Sequence, residues 1–354
     1  SHEHHWEKKM RYLLSLAFAS AVLAAVLSMP STAHAKTRVL TNCFWPPQHY
    51  MCTQVLPTWG KWVKEATDGR VTIQIPPKSL ASPPEQWGSV EKGIADAAVQ
   101  FNGFVANRVT GPLVAMNPFV ASADAPAMSE ALWDTYQKFF ADEYKGVHAL
   151  SMWVITPAEV YSQNDTPINS IDDLKSRKIW ALPGTVANLM KKVGVGVVAG
   201  PAVQANEVIS RGVVDGHIGL SPVSIAAFQL GPYTKSMTQF KTRIYSTSFS
   251  FVMNEKKWAE ISPEDQAAIT AVSGAKFARM AAQFWVNGDK AALERFKSEW
   301  NIPVIQADEA FENALKAESK FLTAGWIKRA NDKGIDGQGA YDFYVNRVAE
   351  LSKF

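Results

Sequence analysis

Two sets of side chains in this sequence have types and spacing that could do chemistry. Trp180 lies near the carboxyl end of an apolar segment, residues 178–182, which has the length of a buried strand. Ligands bind at the carboxyl ends of such strands in α/β proteins, so this position predicts ligand recognition. His49, Asp215 and Ser221 are the residue types of a hydrolase triad, which requires the serine and the histidine to lie within hydrogen-bond reach.

Sequence motifs of catalysis and of metal binding are absent from the chain. It has no G-x-S-x-G nucleophile elbow, no H-E-x-x-H zinc motif and no P-loop. Beyond the N-terminal cluster, histidines occur only at positions 34, 49, 148 and 217, so a triad has few possible centres. We therefore expect a binding protein with no catalytic residue, metal or cofactor, and keep an exported hydrolase as the alternative.

The first 35 residues have the pattern of a secretory signal peptide. Three basic residues precede an apolar, uncharged run at 13–27, and Ala33, His34 and Ala35 form a small-x-small cleavage site. We expect cleavage after Ala35 and export to the periplasm. The alternative is that the segment stays attached as an N-terminal anchor.

The charge balance argues against a nucleic-acid partner. The chain has 36 lysine and arginine residues, 33 aspartate and glutamate residues, and no block of like charge after the leader. Its length of 354 residues and its 47% content of hydrophobic residues suit two domains. Each would have about 150 residues once the leader is removed.

The two cysteines, Cys43 and Cys52, both lie in the part of the chain that would be exported. In an oxidising compartment a disulfide between them would brace the loop after the first strand. The alternative is a pair of small buried thiols. The chain has no C-x-x-C pair and no cysteine-histidine cluster, so we expect no zinc site.

The hydrophobic pattern alternates short strands with helices, which indicates parallel α/β sheets. This rhythm restarts after about residue 158 and predicts a second α/β domain. Ser262 is a helix cap followed by a proline and two acids, and the helical pattern after it continues to about residue 300. A single helix of that length, about 55 Å at a rise of about 1.5 Å per residue, would cross both domains.

Several motifs, taken in order, resemble those of the solute-binding proteins of TRAP (tripartite ATP-independent periplasmic) transporters. The resemblance covers essentially all of the chain after the leader, and the order of the motifs carries it, since each motif is short. The matching segments are residues 59–71, 93–96, 168–175, 206–216 and 253–264.

The resemblance implies a two-lobed α/β fold of the periplasmic-binding-protein type, with a central ligand cleft and a long helix spanning both lobes. Lobe I would comprise residues 36–157 and 247–287, and lobe II residues 158–246 and 288–354. A small solute would be trapped by hinge closure and delivered to a TRAP membrane permease driven by an ion gradient. We expect the protein to be a monomer.

The chain departs from the family pattern at the position where most members bind organic acids. Those members place an arginine after a Lys-Ile or Lys-Leu pair, as a bidentate partner for a carboxylate. Here Lys178 and Ile179 are followed by Trp180, and Arg177 would point to the other face of the strand. Near the position of a second family arginine, the only charge is that of Glu159.

A tryptophan and an acid at these two positions favour a cationic ligand, because an aromatic face attracts a cation. We expect a small amine or zwitterion in an aromatic box. The predicted ligand-binding residues are Trp180, Glu159, Phe44, Trp45, Phe101, Asn102, Trp153, His49, His217 and Ser221. One alternative is an uncharged or aromatic ligand. Another is an organic carboxylate or aromatic acid held by Arg108, Asn102 or backbone amides.

Overall fold

The computed structural model of the chain describes residues 36–353. The predicted signal peptide and its cleavage site after Ala35 lie outside the described residues. Between residues 36 and 353, no helix is both long enough and apolar enough to cross a membrane.

The strands of the described residues form two sheets. The first sheet has the order β2-β1-β3-β10-β4 and the second the order β11-β9-β5-β8-β6-β7. The strands are β1 (Thr37–Asn42), β2 (Val71–Gln74), β3 (Ala97–Phe101), β4 (Val147–Val154), β5 (Glu159–Ser162), β6 (Lys178–Ala181), β7 (Gly196–Ala199), β8 (Gly216–Leu220), β9 (Ser236–Gln239), β10 (Ser248–Asn254) and β11 (Val304–Gln306). Each sheet is parallel except for one antiparallel strand, β10 in the first and β5 in the second.

Helices connect these strands, which confirms the predicted α/β class. They are α1 (Leu56–Ala66), α2 (Gln86–Glu91), α3 (Ala125–Thr135), α4 (Ile171–Lys175), α5 (Thr185–Val193), α6 (Ala205–Ser210), α7 (Pro222–Ala227), α8 (Glu255–Glu260), α9 (Pro263–Ala271), α10 (Gly274–Ser298), α11 (Glu309–Asp332) and α12 (Gly337–Leu351). Short 3₁₀ or π turns lie at Met51–Val55, Pro83–Glu85, Asn102–Val105, Gly111–Met116, Tyr136–Phe140, Ala141–Tyr144, Ala202–Gln204 and Gly231–Tyr233.

The sheets are joined by a two-stranded crossing that we name the hinge ribbon, residues 155–158 and 244–247. Its first strand leads from β4 to β5, and its second returns from β9 to β10. The Ile155 N–H donates to the Thr247 carbonyl oxygen at 3.1 Å, and the Ala158 N–H donates to the Tyr245 carbonyl oxygen at 2.7 Å. Because the ribbon is only two strands wide, we expect the sheets to move relative to each other here.

The continuous helix predicted after Ser262 was wrong, because the chain breaks between α9 and α10. Ser262 caps α9 as expected, accepting a hydrogen bond from the Asp265 N–H at 3.2 Å. Long-range contacts hold the break: Trp59 Nε1 donates to Ser273 Oγ at 3.0 Å, and a second bond, 2.6 Å long, runs from the hydroxyl of Ser151 in β4 to the carbonyl oxygen of residue 274. The glycine at that position has a φ of +50°, a left-handed conformation that favours glycine.

The 25-residue helix α10 nevertheless spans both lobes, as expected. It packs against α3 and β4 beside the first sheet and against α7 beside the second. The predicted lobe boundaries stay a prediction. Each strand falls within the range predicted for its sheet, whereas the C-terminal helix α12 packs against α3, beside the first sheet.

Candidate functional site

A cavity of about 510 Å³, its open mouth included, is lined by residues from both sheets. The first sheet and its loops contribute Phe44, Trp45, Pro83, Phe101, Phe104, Ile155, Thr247 and Phe249. The second sheet, its loops and α10 contribute Leu182, Pro201, Ala202, Val203, Gly219, Leu220, Ser224, Phe228 and Trp285. None of these side chains carries a charge, so the cavity offers a mainly aromatic and apolar surface.

The loop after β1 supplies two of the aromatic walls. Cys43 and Cys52 are joined by a disulfide, so the loop between them is closed at its base. Within the loop, the rings of Phe44 and Trp45 stack with their centroids 3.9 Å apart. The disulfide therefore restrains two of the rings that are predicted from the sequence to bind the ligand.

Phe249, in β10, lies at the centre of the aromatic wall. Its ring centroid is 5.4 Å from that of Trp45 and 5.6 Å from that of Phe101. Trp153 on the neighbouring strand β4 stacks on Phe249 at 5.1 Å and is fully buried. Trp153 is not among the lining residues, so it supports the wall from behind.

The second sheet closes the cavity with the carboxyl ends of β6 and β8. These strands are parallel neighbours, so Leu182 after β6 and Gly219 in β8 come together at one edge of the sheet. Gly219 has a φ of +109°, and a Cβ atom there would lie 3.3 Å from the Cβ of Leu182. Glycine therefore suits both the backbone conformation and the limited space in this wall.

Two polar groups of the lining residues have no hydrogen-bond partner within the described residues. They are the hydroxyl of Thr247, in the hinge ribbon, and the indole N–H of Trp285, in α10. Both residues are buried. A third hydroxyl in the wall, that of Ser224, lies 3.3 Å from Ser221 Oγ. The polar side-chain groups of the wall are thus all uncharged.

Trp180 and His217 are paired residues of β6 and β8, and neither belongs to the cavity lining. Side chains alternate along a strand, so Trp180 shares its face with Leu182 but lies one layer deeper. The His217 ring stacks on Tyr161 at 4.9 Å, and its Nδ1 lies 3.2 Å from Gln163 Oε1. Burial lowers the pKa of His217 to about 3, so the ring is neutral in the fold at neutral pH.

Glu159 is not a lining residue either, because its carboxylate is engaged elsewhere. Its Oε1 atom lies 2.6 Å from Arg243 Nη1 and accepts a hydrogen bond from Gln239 Nε2 at 3.2 Å. Burial raises the pKa of Glu159 to about 8, although Arg243 and the hydrogen bond from Gln239 oppose the rise. The sequence predicts this acid as a charge partner for a ligand, whereas in the structure its partner is Arg243, which no local sequence pattern indicates.

Asn102 is buried next to Phe101 but makes its hydrogen bonds within the first sheet. Its Nδ2 atom donates to Ser248 Oγ at 3.0 Å, and Ser250 Oγ donates to its Oδ1 atom at 2.6 Å. These hydrogen bonds hold the end of β3, where Phe101 reaches the cavity. Asn102 itself is not a lining residue.

The hydrolase alternative fails on geometry. Asp215 precedes β8 and Ser221 follows it, so an extended strand of about 20 Å, at about 3.3 Å per residue, separates them. The Asp215 carboxylate accepts a hydrogen bond from the Lys178 N–H at 2.8 Å. His49 Nδ1 accepts from the Met51 N–H at 3.1 Å, and burial lowers the pKa of His49 to about 3.

The His49 ring stacks on Trp45 with the ring centroids 5.4 Å apart. It lines a neighbouring groove with Gln48 and Tyr50, so it lies behind the Trp45 wall of the cavity. His49 and Ser221 therefore each touch a wall residue without being wall residues themselves.

Neither arginine considered from the sequence reaches the cavity. Arg177 is buried, and it donates to Ser162 Oγ at 2.9 Å and to the Asp215 carbonyl oxygen at 3.0 Å. Arg108 forms an ion pair with Glu91. A carboxylate bound in the cavity would therefore meet no guanidinium from the wall.

Several wall residues were missing from the sequence prediction. Leu182 could have been found by following the face of Trp180 two residues further. Trp285 is an aromatic residue on the helix expected to cross both lobes, which was a usable signal. Thr247 precedes β10 and Phe249 lies within it, and no local pattern in the sequence connects either residue to the cavity.

Comparisons with known proteins agree with the family that the order of the motifs predicts. A family model described as bacterial extracellular solute-binding protein, family 7, matches residues 42–329. The outer membrane transporter protein TsaT of Comamonas testosteroni is 34% identical over 332 residues, which cover 93% of this chain and 97% of TsaT.

Solved structures of similar fold point the same way. A TRAP periplasmic solute-binding protein of Bordetella bronchiseptica, with (R)- and (S)-mandelate bound, has a TM-score of 0.84 and 29% identity, covering 89% of this chain and all of that one. A marine metagenome TRAP solute-binding protein in complex with 3-hydroxybenzoate has a TM-score of 0.82 and 23% identity, covering 90% of this chain and all of that one. At 23% identity, the second likeness concerns the fold alone.

Proposed function

Because the chain belongs to the bacterial extracellular solute-binding proteins of family 7, we propose that it binds a small aromatic acid in the cavity lined from both sheets. TRAP solute-binding proteins are periplasmic, bind small molecules, work with membrane permease components and are not enzymes. Family membership confirms the resemblance that the motif order predicted, and with it the expectation of a transport protein.

The composition of the cavity wall carries the proposal. Seven of the lining residues are aromatic, and none is charged. Aromatic rings pack well against one another in offset or edge-on arrangements, so a ring is the shape that this wall accommodates best. The Bordetella bronchiseptica protein, at 29% identity, has mandelate bound, and mandelate combines a ring with a carboxylate.

The amine or zwitterion expected from the sequence is the second candidate, since the aromatic faces of the wall would also attract a cation. Two observations favour the acid. Glu159 is paired with Arg243 and does not line the cavity, so no wall carboxylate balances a cation. The unpartnered polar groups, Thr247 Oγ and Trp285 Nε1, can both donate a hydrogen bond, which an ammonium group cannot accept.

We further propose how the protein works in transport. Export would follow cleavage after Ala35, and the mature chain would act as a monomer. Closure at the hinge ribbon would bring the walls from the two sheets together around the ligand. The closed protein would then deliver the ligand to a permease driven by an ion gradient.

The proposal is tested by thermal unfolding of the purified protein with four compounds: (R)-mandelate, benzoate, succinate and choline. A ligand at about 100 times its dissociation constant stabilises a protein by about 2.7 kcal/mol, which shifts the melting temperature visibly. We expect the aromatic acids to raise the melting temperature and succinate and choline to leave it unchanged. A rise with choline, and none with either aromatic acid, would overturn the proposal in favour of the cation.

A matched pair of variants locates the site. Phe104 is a half-buried wall residue, and Phe139 is a half-buried phenylalanine that does not line the cavity. We expect Phe104→Ala to reduce the ligand-induced shift and Phe139→Ala to preserve it. Equal effects of the two variants would place the ligand elsewhere.

A further inference from the structure

The hydroxyl of Thr247 and the indole N–H of Trp285 are unusual features of the cavity wall. Both residues are only 2% exposed, yet neither polar group has a hydrogen-bond partner within the described residues. Buried polar groups are nearly always paired, because an unpaired one has lost its water and gained nothing in return. At a cavity wall, a ligand can supply the missing partner.

The two groups share the chemistry that a carboxylate requires. An indole N–H can only donate, and a threonine hydroxyl can rotate to donate. Hydrogen bonds from neutral donors to a charged acceptor are stronger than those between neutral groups. A carboxylate oxygen is therefore a better partner for Thr247 and Trp285 than any cationic group.

Three arginines that could bind a carboxylate already have partners. Arg243 is paired with Glu159, Arg108 with Glu91, and Arg177 with oxygen atoms of the second sheet. None of the three is a lining residue. An acidic group in the cavity must therefore be held without a guanidinium from the wall.

We propose that Thr247 and Trp285 hold the acidic group of the ligand, so that this chain recognises an aromatic carboxylate through uncharged donors. The inference rests on the proposed function, since it names the partners of the acid in that same cavity. Thr247 belongs to the hinge ribbon, and Trp285 belongs to α10, which packs against β4 of the first sheet and against α7 beside the second. A ligand bound to both side chains links the two elements that connect the lobes.

The chain contains matched controls for both residues. Thr110 and Tyr344 each have a buried hydroxyl without a partner within the described residues, as the buried donors of Thr247 and Trp285 do. Neither control residue lines the cavity. Thr110→Val therefore reproduces the chemical change of Thr247→Val, and Tyr344→Phe removes one unpartnered buried donor, as Trp285→Phe does, at positions away from the ligand.

The experiment measures calorimetric affinity for (R)-mandelate and for 1-phenylethanol, in which a methyl group replaces the carboxylate. We expect Thr247→Val and Trp285→Phe each to weaken mandelate binding about tenfold, which corresponds to about 1.4 kcal/mol. Affinity for 1-phenylethanol should change less than about twofold, since the lost donors served only the acid. The control variants should change neither affinity.

The outcomes separate this inference from the proposed function. Wild-type protein that binds neither mandelate nor benzoate overturns the proposed function, and the inference with it. Wild-type protein that binds an aromatic acid, with Thr247→Val and Trp285→Phe behaving like their controls, overturns the donor assignment alone. Equal weakening of mandelate and 1-phenylethanol also overturns it, because a general loss of wall shape would then explain the effect.

Discussion

Glu159 and Arg243 form a buried ion pair, with Glu159 Oε1 2.6 Å from Arg243 Nη1 across 84 residues of sequence. Glu159 begins β5, directly after the first strand of the hinge ribbon, and Arg243 directly precedes the second. The pair therefore joins the two strands of the ribbon at their second-sheet end. Glu159, which the sequence predicts as a ligand-binding acid, therefore bonds across the ribbon and is not among the residues that line the cavity.

Breaking this pair should destabilise the protein strongly. The Glu159 side chain is 3% exposed, so Arg243→Met leaves a buried carboxylate without its partner. We expect the free energy of unfolding, measured in urea at pH 9, where Glu159 is ionised, to fall by about 3 kcal/mol. The double variant Glu159→Met/Arg243→Met should recover most of this loss, because no charge is then left unpaired.

Arg108→Met is the control for this prediction. Arg108 pairs with Glu91, but its side chain is 43% exposed, so the pair should contribute at most about 1 kcal/mol. If Arg108→Met and Arg243→Met lowered the free energy of unfolding equally, burial of the Glu159–Arg243 pair would not increase its contribution to stability.

The stability of the protein should fall as the pH rises from 6.5 to 8. Burial raises the pKa of Glu159 to about 8 from 4.5, and that of Asp289 to about 7 from 3.8. In this range the folded protein holds protons that the unfolded chain has released, so each increase in pH favours unfolding. Below pH 6.5, His49 and His217 oppose this slope, because burial lowers the pKa of each to about 3.

The measurement is the free energy of unfolding at pH 6.5, 7.2 and 8. Glu159→Gln removes one titrating carboxyl and keeps an acceptor for Arg243, so it should flatten the slope. Glu299→Gln, at an exposed position on the surface, should leave the slope as in the wild type. A stability that rises over this range would contradict the assigned direction of both pKa shifts.

Leu182 and Trp180 should differ in what they contribute. Leu182 lines the cavity, and Trp180 lies one layer deeper on the same face and is 1% exposed. We expect Leu182→Ala to weaken ligand binding about tenfold, since it removes apolar contact area at the site. Trp180→Phe should lower the free energy of unfolding by about 2 kcal/mol while changing affinity less than about twofold.

Calorimetry and urea unfolding of both variants test this prediction. The opposite result, with binding lost in Trp180→Phe and kept in Leu182→Ala, would return Trp180 to the ligand site. It would also revive the aromatic box proposed from the sequence.

Reduction of the Cys43–Cys52 disulfide should affect both stability and binding. The bridge closes a short loop, and loop-closure entropy predicts that its loss lowers stability by about 2–3 kcal/mol. Phe44 and Trp45 lie inside this loop and line the cavity, so affinity for the ligand should fall as well. Melting temperature and affinity with and without reductant provide the measurement. The variant Cys43→Ser/Cys52→Ser should behave like the reduced protein and show no response to reductant.

Much of the fold could be predicted from local sequence. Ser170 accepts a hydrogen bond from the Asp173 N–H at 2.9 Å, as its position before a short helix suggests, and β6 occupies four of the five residues expected for it. The restart of the strand-helix rhythm after residue 158 matches the start of the second sheet. These features depend on neighbours within a few residues, which the sequence displays directly.

The break before Gly274 could not be read in the same way. The residues on both sides of it continue a helical pattern, and the chain leaves the helix because Trp59 and Ser151 bond to the break from distant positions. A single glycine is tolerated inside a helix, so Gly274 alone did not predict the break.

The sequence by itself determined the family, and it showed that the family arginine after Lys178 and Ile179 is absent. It also predicted Phe44, Trp45 and Phe101 as aromatic residues of the site. Tertiary structure alone decided which side chains reach the cavity. It placed Trp180 below the cavity wall and paired Glu159 with Arg243. Depth along a strand and long-range ion pairing depend on how the two sheets meet, and no local pattern contains that information.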